Sequence, residues 1–229
     1  MQIDPGARMS SSPSSLIETR WWHVRHAPVP DGGRIYGQRD LDCDCSNDKV
    51  FRAVAAMLPK DAVWVTSGLK RAKQTATAIH AASAGKHAAS TIPAYAAFNE
   101  QHLGDWQGHD RNDFRKMRNF TPASFWLTVG DEKAPNGESY PDLVNRVRPL
   151  IDELTRTHRG RNIISVSHGG TIRSALAHAL SSPLEMSHAF TIDNVSVTVL
   201  DHLHDPAHPV ADKWRVSHVN ATPWVGREA

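Results

Sequence analysis

Short apolar runs that end in polar residues alternate with amphipathic stretches along this 229-residue chain, and the alternation limits the fold more than any other feature. RWWHVR (20–25) is followed by a polar, Gly-rich loop and then by NDKVFRAVAAMLP (47–59), where Val50, Val54, Met57 and Leu58 recur at helical spacing. AVWVTS (62–67) reads as a short buried strand, and LKRAKQTATAIHAA (69–82) follows with Leu69, Ala72, Ala76 and Ile79 on one face. STIPAY (90–95) reads as an edge strand, because Pro93 cannot donate to a ladder. SYPDLVNRVRPLIDELTRTH (139–158) aligns Leu143, Val147, Leu150, Ile151 and Leu154 in one stripe. Ser139 and Asp142 have capping-box spacing before it, and Pro149 is expected to bend that helix. NIISVS (162–167) is the clearest strand, GTIRSALAHAL (170–180) a helix, and SVTVLDHL (196–203) and KWRVSHV (213–219) are closing strands. Such a pattern predicts a three-layer α/β/α sandwich with a mostly parallel central sheet. Ligands in such folds sit beyond the carboxyl ends of the strands.

Composition removes several function classes. Hydrophobic residues at 40% and charged residues at 22% are ordinary globular values. A formal net charge of +2 makes no electrostatic case for nucleic acid or an anionic membrane. No apolar run approaches the roughly 20 residues of a transmembrane helix. Residues 1–19 are Ser/Pro-rich, lack the long apolar core of a secretory signal, and are expected to form a poorly ordered extension to a single domain over 20–229. Cys43 and Cys45 are the only cysteines. Their C-x-C spacing lacks the second pair of a zinc ribbon and reads as a reduced loop in a cytoplasmic protein. DHLHDPAH (201–208) carries His202, His204 and His208; it reads as a solvated loop, with a metal-dependent hydrolase as a minor alternative.

The strand tips carry the chemistry. The first strand ends in Arg25-His26 and the second in TSGLKRA, which puts Lys70 and Arg71 in the first turn of a helix. The strand NIISVS ends in SHGGT, with His168 at the tip. In a parallel sheet these tips share one edge, so two arginines and two histidines converge. Cations in a helix's first turn oppose its macrodipole. A bound phosphate or carboxylate would resolve that, aided by free N–H groups at the helix N-terminus and bidentate guanidinium groups. A neutral imidazole in a phosphate pocket is a nucleophile toward phosphorus, and neighbouring arginines favour its neutral form. The leaving alcohol then needs a proton, and FNEQHLGDWQGHD (98–110) supplies Glu100 in a turn-rich, aromatic setting. Lys70 reads as a solvated helix residue, and His102 as bonded within its own loop. For Trp106, walling the site and packing are equally open. Phe120, Phe125 and Trp126 suggest a cap over the pocket, within an insertion around 111–138.

Together these segments resemble the histidine phosphatase superfamily, which includes the cofactor-dependent phosphoglycerate mutases. Arg25-His26-Ala27 stands at the family's Arg-His-Gly signature. TSGLKRAKQTA (66–76), NEQHLGDWQG (99–108), GES (137–139) and SHGGTIR (167–173) are similar to four further family segments, in family order. The resemblance implies a phosphoglycerate mutase-like fold with His26 as phosphorylated nucleophile. It also implies Arg25, Arg71 and His168 as phosphate ligands and Glu100 as proton donor and then base. Gly169 is expected to bring backbone close to the phosphate, and Tyr36 and Gly37 to touch substrate. No cofactor and no metal are expected.

Two departures bear on the activity. Ala27-Pro28 replaces the commoner Gly-Glu, and the first loop lacks the mutases' Glu-Ser…Trp-Asn run. The middle segment (111–137) is also shorter than the mutases' basic one. Both favour hydrolysis, and RHAPV…YGQRDLD is most similar to the α-ribazole phosphatase-like branch. The expectation is a metal-independent phosphomonoesterase acting on a small phosphorylated metabolite, with no nucleic-acid or membrane partner; a homodimer stays open. A mutase-type phosphotransferase and a low-turnover phospho-ligand binding protein are the alternatives.

Overall fold

Apolar runs of four to six residues, bounded by polar ones, pair side by side at the centre of one sheet. The computed structural model describes residues 16–83, 92–120, 127–128, 130–208 and 212–223. In chain order the elements are β1 (Ile17–Arg25), α1 (Asp48–Met57), β2 (Val63–Ser67), α2 (Lys70–Ala82), β3 (Ala94–Tyr95), α3 (Arg111–Met117), α4 (Tyr140–Thr157), β4 (Asn162–Ser167), α5 (Gly169–Leu180), β5 (Val197–His204) and β6 (Lys213–Ala221). The six strands lie in the order β3-β2-β4-β1-β5-β6. Every pairing from β3 to β1 is parallel, and β5 pairs antiparallel with both β1 and β6. The expected mostly parallel sheet is therefore present, with β5 as its one reversed strand.

Alternation within each strand divides the core. Trp21, Val65, Ile163 and Leu200 face α4 and α5, whereas Val24, Trp64, Ile164 and Val199 face α1 and α2. The result is the three-layer sandwich. A smaller cluster of Ile35, Leu103 and Phe114 lies beneath α3, with Trp106, Phe120 and Leu127 against it. The capping box is formed: Ser139 Oγ accepts the Asp142 N–H, and the Asp142 carboxylate accepts the Ser139 N–H. Pro149 is tolerated inside α4, which runs unbroken from Tyr140 to Thr157. Phe125 and Trp126 lie outside the described residues.

Two boundaries differ from the sequence reading. β1 starts at Ile17, so it takes in three residues assigned to the poorly ordered extension. The cause is the length of β5, which pairs with β1 as far as Ile17↔His204. Of the two overlapping readings of 201–203 the closing strand holds, and the solvated loop over 201–208 is corrected in its first half, since Asp201–His204 complete β5. Asp201 is fully buried there because neighbouring strands satisfy it. Its carboxylate accepts from Arg20 Nε at 2.6 Å, Arg215 Nη2 at 2.7 Å and Ser217 Oγ. His204 Nδ1 lies 2.7 Å from Asp212, and His202 Nε2 lies 3.6 Å from it. His208 pairs with Asp205 instead, at 3.0 Å. Among the described residues no three His, Cys, Asp or Glu side chains gather to hold a metal ion. No described helix is long and apolar enough to cross a membrane.

His23 is a fully buried residue of β1, stacked on Trp21 with ring centroids 5.2 Å apart. Neither ring nitrogen has a hydrogen-bond partner among the described residues. Burial pushes its pKa down to about 3. Below its ordinary value near 6.5 the unfolded chain takes up a proton that the folded chain refuses. Stability therefore holds above that value and falls from there toward pH 3, by about 1.4 kcal/mol per pH unit for this group. Urea unfolding at several pH values is expected to show His23→Phe losing less stability than the unsubstituted chain between about pH 6.5 and pH 5. Parallel curves for the two would contradict this account of His23.

Candidate active site

Because β4 lies between β1 and β2, their carboxyl ends meet at one place. The His26 N–H donates to the Ser167 carbonyl at 2.9 Å, which ties the tip of β1 to that of β4. The rings of His26 and His168 are fully buried, with centroids 5.1 Å apart. His26 Nδ1 is 2.7 Å from the Ala27 carbonyl. A carbonyl only accepts, so Nδ1 carries the proton and Nε2 the lone pair. Nε2 has no partner among the described residues. His168 Nε2 is 2.7 Å from Ser67 Oγ, which itself accepts the Leu69 N–H. The Ser67 hydroxyl can donate to Nε2 while it accepts from Leu69, and in that tautomer Nδ1 of His168 is an N–H donor. Burial, and after it the charges of Arg71 and Arg25, hold both imidazoles well below the usual histidine pKa.

Two guanidinium groups, of Arg71 and Arg25, act on these rings, and a third, of Arg173, reaches the start of α5. Arg71 is fully buried; its Nη1 donates to the Arg39 carbonyl at 2.9 Å and its Nη2 to the Gly37 carbonyl at 2.7 Å. Its guanidinium carbon lies 4.9 Å from the Tyr36 ring centroid. Arg25 Nη1 donates to the Ile192 carbonyl, and Arg173 Nε to the Phe190 carbonyl at 3.0 Å. The Nε atoms of Arg25 and Arg71 have no partner among the described residues. A methyl placed on Gly169 would lie 3.2 Å from Arg173 Nη1, 3.8 Å from Arg25 Nε and 4.0 Å from Glu100 Oε2. The bare N-terminus of α5 thus opens where these groups converge. Arginines keep their charge at any working pH, so neutral imidazoles, cations and helix N–H groups together make an anion site.

Glu100 completes the site from the opposite side. Its Oε1 accepts the Gln101 N–H at 2.9 Å and the Gly170 N–H at 3.1 Å. Gly170 permits this approach, since a Cβ there would sit 2.3 Å from Glu100 Oε1 and 2.9 Å from Leu143 Cδ2. The loop carrying Glu100 hangs on Arg146 of α4. That guanidinium donates to the Ala97, Asn99 and Glu100 carbonyls at 2.7–2.9 Å and to both oxygens of Glu138. Its whole donor set is used. A second clamp comes from the turn before β5. Asn194 Nδ2 donates to the His26 carbonyl at 2.8 Å, and the Val195 N–H to the Arg25 carbonyl at 3.0 Å. Val195 adopts φ 55°, a region costly for a β-branched residue. A cavity of about 360 Å³ opens over Arg25, Tyr36, Gly37, Glu100 and Asn194, with Arg111 and Arg115 of α3 on its far wall.

The structure brings together Arg25, His26, Tyr36, Gly37, Arg71, Glu100, His168 and Gly169. Lys70 is exposed, as expected. His102 is held within its loop, its N–H on Glu138 Oε1 and its Nδ1 accepting from Gly104. Trp106 packs on Phe114 with centroids 5.1 Å apart and does not line the cavity. Sequence reasoning missed Arg146, Arg173, Ser67 and Asn194. Arg173 was legible, since it stands four residues after Gly169 and so on the same face of α5. Arg146 and Asn194 act on backbone carbonyls that only the fold brings near.

The fold has counterparts among known proteins. The chain is 30% identical over 212 residues to the metal-independent phosphoserine phosphatase of Arabidopsis thaliana, covering 89% of this chain and 84% of that one. It superposes on a mycobacterial glucosyl-3-phosphoglycerate phosphatase with a TM-score of 0.73 at 26% identity, covering 90% of this chain and all of that one. The α-ribazole phosphatase of Shigella flexneri shares the fold at 21% identity, with a TM-score of 0.70 over 92% of this chain and 100% of its own. Residues 21–217 match the model of the histidine phosphatase superfamily, branch 1, and the chain belongs to that family.

Proposed function

We propose that this chain, a phosphoric monoester hydrolase, cleaves a small phosphorylated metabolite through a phosphohistidine on His26, with Glu100 as general acid and then general base. The observation that carries the reading is the His26 ring: Nδ1 is tied to the Ala27 carbonyl, and Nε2 is left bare among cations. In the first step Nε2 attacks phosphorus, the P–O ester bond breaks, and Glu100 in its acid form gives its proton to the leaving alcohol. Arg25, Arg71, the Nδ1–H of His168 and the N–H groups at the start of α5 hold the three equatorial oxygens. In the second step Glu100 takes a proton from water, the water oxygen attacks phosphorus, and the P–N bond to His26 breaks. Phosphate leaves, and both residues return to their starting forms. The names of the Arabidopsis and mycobacterial relatives support hydrolysis, and that of the Arabidopsis protein supports hydrolysis without a metal. Cytoplasmic residence rests on the two free thiols, Cys43 and Cys45.

Phosphate release from p-nitrophenyl phosphate and from an alkyl phosphate tests the roles. His26→Ala is expected to lower turnover by at least about 10³-fold, and EDTA to leave the unsubstituted enzyme unchanged. Activity surviving His26→Ala, or lost to EDTA, would overturn the mechanism. Glu100→Gln should slow the alkyl ester by about 10²–10⁴-fold and the nitrophenyl ester much less, because only the former needs a proton on its leaving group. Equal losses would remove Glu100 as the acid. Gly170→Ala is expected to copy the Glu100→Gln pattern more mildly, since its methyl displaces the carboxylate; unchanged alkyl-ester turnover would contradict that placement.

The imidazoles give a further test. Both are held well below the ordinary histidine pKa. They therefore stay neutral as pH falls through about 6.5, and His26 keeps its nucleophilic lone pair there. Imidazole NMR shifts of His26 and His168 are expected to stay flat from about pH 8 to about pH 5.5. A titration midpoint near the ordinary value would show that the site does not enforce the neutral form.

A further inference from the structure

Cys43 and Cys45 take no part in the proposed reaction, yet they sit against its most buried cation. Their sulfurs are 3.5 Å apart, and both residues are half-buried. The Cys43 thiol reaches the Arg71 carbonyl at 3.3 Å and lies 3.5 Å from Thr75 Oγ1. The Cys43 N–H donates to Gln74 Oε1 at 3.0 Å. These contacts are the last rungs of a strap between the first loop and the start of α2. Its earlier rungs are Arg71 on the Gly37 and Arg39 carbonyls, the Lys70 N–H on Asp40, and Gln74 Nε2 on Asp42. Thr75 connects the strap to the nucleophile, because its hydroxyl donates to the Arg71 carbonyl at 2.7 Å and accepts the Ala27 N–H at 2.8 Å.

We propose that Cys43 and Cys45 form a peroxide-oxidisable dithiol whose disulfide loosens the Arg71 strap and weakens phosphate binding. The effect on phosphate rests on the reading of Arg71 as a phosphate clamp. In the first step the Cys43 sulfur attacks a hydroperoxide: an S–O bond forms, the O–O bond breaks, and the departing oxygen leaves as water or alcohol. In the second, the Cys45 sulfur attacks the sulfenic sulfur of Cys43: the S–S bond forms, the S–O bond breaks, and the hydroxyl leaves as water with the thiol proton. Two thiols lose two electrons and the peroxide gains them. Burial and the hydrogen bond to Cys43 push the Cys45 thiol up to about 12, so its attack on the sulfenic sulfur is the slow step and the closure rests on the 3.5 Å approach of the two sulfurs. Closing the bond draws the sulfurs from 3.5 Å to about 2.05 Å and removes the Cys43 S–H, so the Arg71 carbonyl loses that donor. A ring spanning a single intervening residue is strained and readily reduced, as a reversible device requires.

The test takes the full chain, fully reduced, through hydrogen peroxide and then N-ethylmaleimide. Intact mass under non-reducing conditions is read beside inorganic phosphate affinity by calorimetry. The expected product is a monomer lighter by about 2 Da, with no maleimide bound. Its phosphate affinity is expected to be lower by about tenfold and restored by dithiothreitol. Cys45→Ser, with Cys43→Ser as a second variant, is expected to keep its phosphate affinity under the same treatment. Four results would overturn the proposal: both thiols still alkylated, two chains joined, a disulfide with unchanged phosphate affinity, or serine variants losing affinity as the unsubstituted chain does. A reduced chain that binds no phosphate would count against the clamp reading and with it this effect, while the mass would still report whether the dithiol closes.

Discussion

Taking a guanidinium fully out of water costs several kcal/mol unless carbonyls, anions or aromatic faces replace its hydration, and Arg71 is fully buried. Much of the molecule around the site is arranged to bear that cost. The first loop turns back so that the Gly37 and Arg39 carbonyls receive its N–H groups, and the Tyr36 ring presents its face, its centroid 4.9 Å from the guanidinium carbon. Gly37 makes the turn at φ 45°, where a Cβ would meet Gln107 Oε1 at 2.4 Å and the Gln101 carbonyl at 2.9 Å. Glu100 also faces the pocket, and when ionised its charge favours the cation that burial disfavours. What remains is a buried excess of positive charge beside two neutral rings, which a dianionic phosphoryl group would complete.

The sheet and the loops divide the work. The sheet supplies distances: with β4 between β1 and β2, both histidines and the start of α2 are held on rigid, parallel mounts. The loops supply the proton chemistry, and each is locked by one side chain from a distant element. Arg146 of α4 fixes the Glu100 loop through three backbone carbonyls. Asn194 fixes the peptide after His26. The strained φ of Val195 persists because its N–H closes on the Arg25 carbonyl in the same turn.

The parts legible in the sequence are those whose signal is local. NIISVS matches β4 residue for residue, because the β-branched Ile163, Ile164 and Val166, spaced by small serines, suit a strand buried on both faces. Arg25, His26 and His168 were readable as polar residues ending such strands, and Ser139 with Asp142 as a cap. Hidden features depend on distant partners. Ile17–Thr19 join β1 only because β5 reaches them, and the complete burial of the Asp201 carboxylate depends on Arg20, Arg215 and Ser217, which meet it from neighbouring strands. Asn194 and three of the five Arg146 donors end on backbone carbonyls, which leave no trace in residue type.

The central claim is that phosphorus passes through Nε2 of His26. Rapid acid-free quenching during turnover, followed by mapping of the phosphorylated peptide, tests it most directly. The account predicts one phosphoryl group on the peptide containing His26, stable to alkali and lost in acid, and more of it when Glu100→Gln slows attack by water. A phosphoryl group on another residue, or no phosphoenzyme in either protein while phosphate is still released, would contradict it.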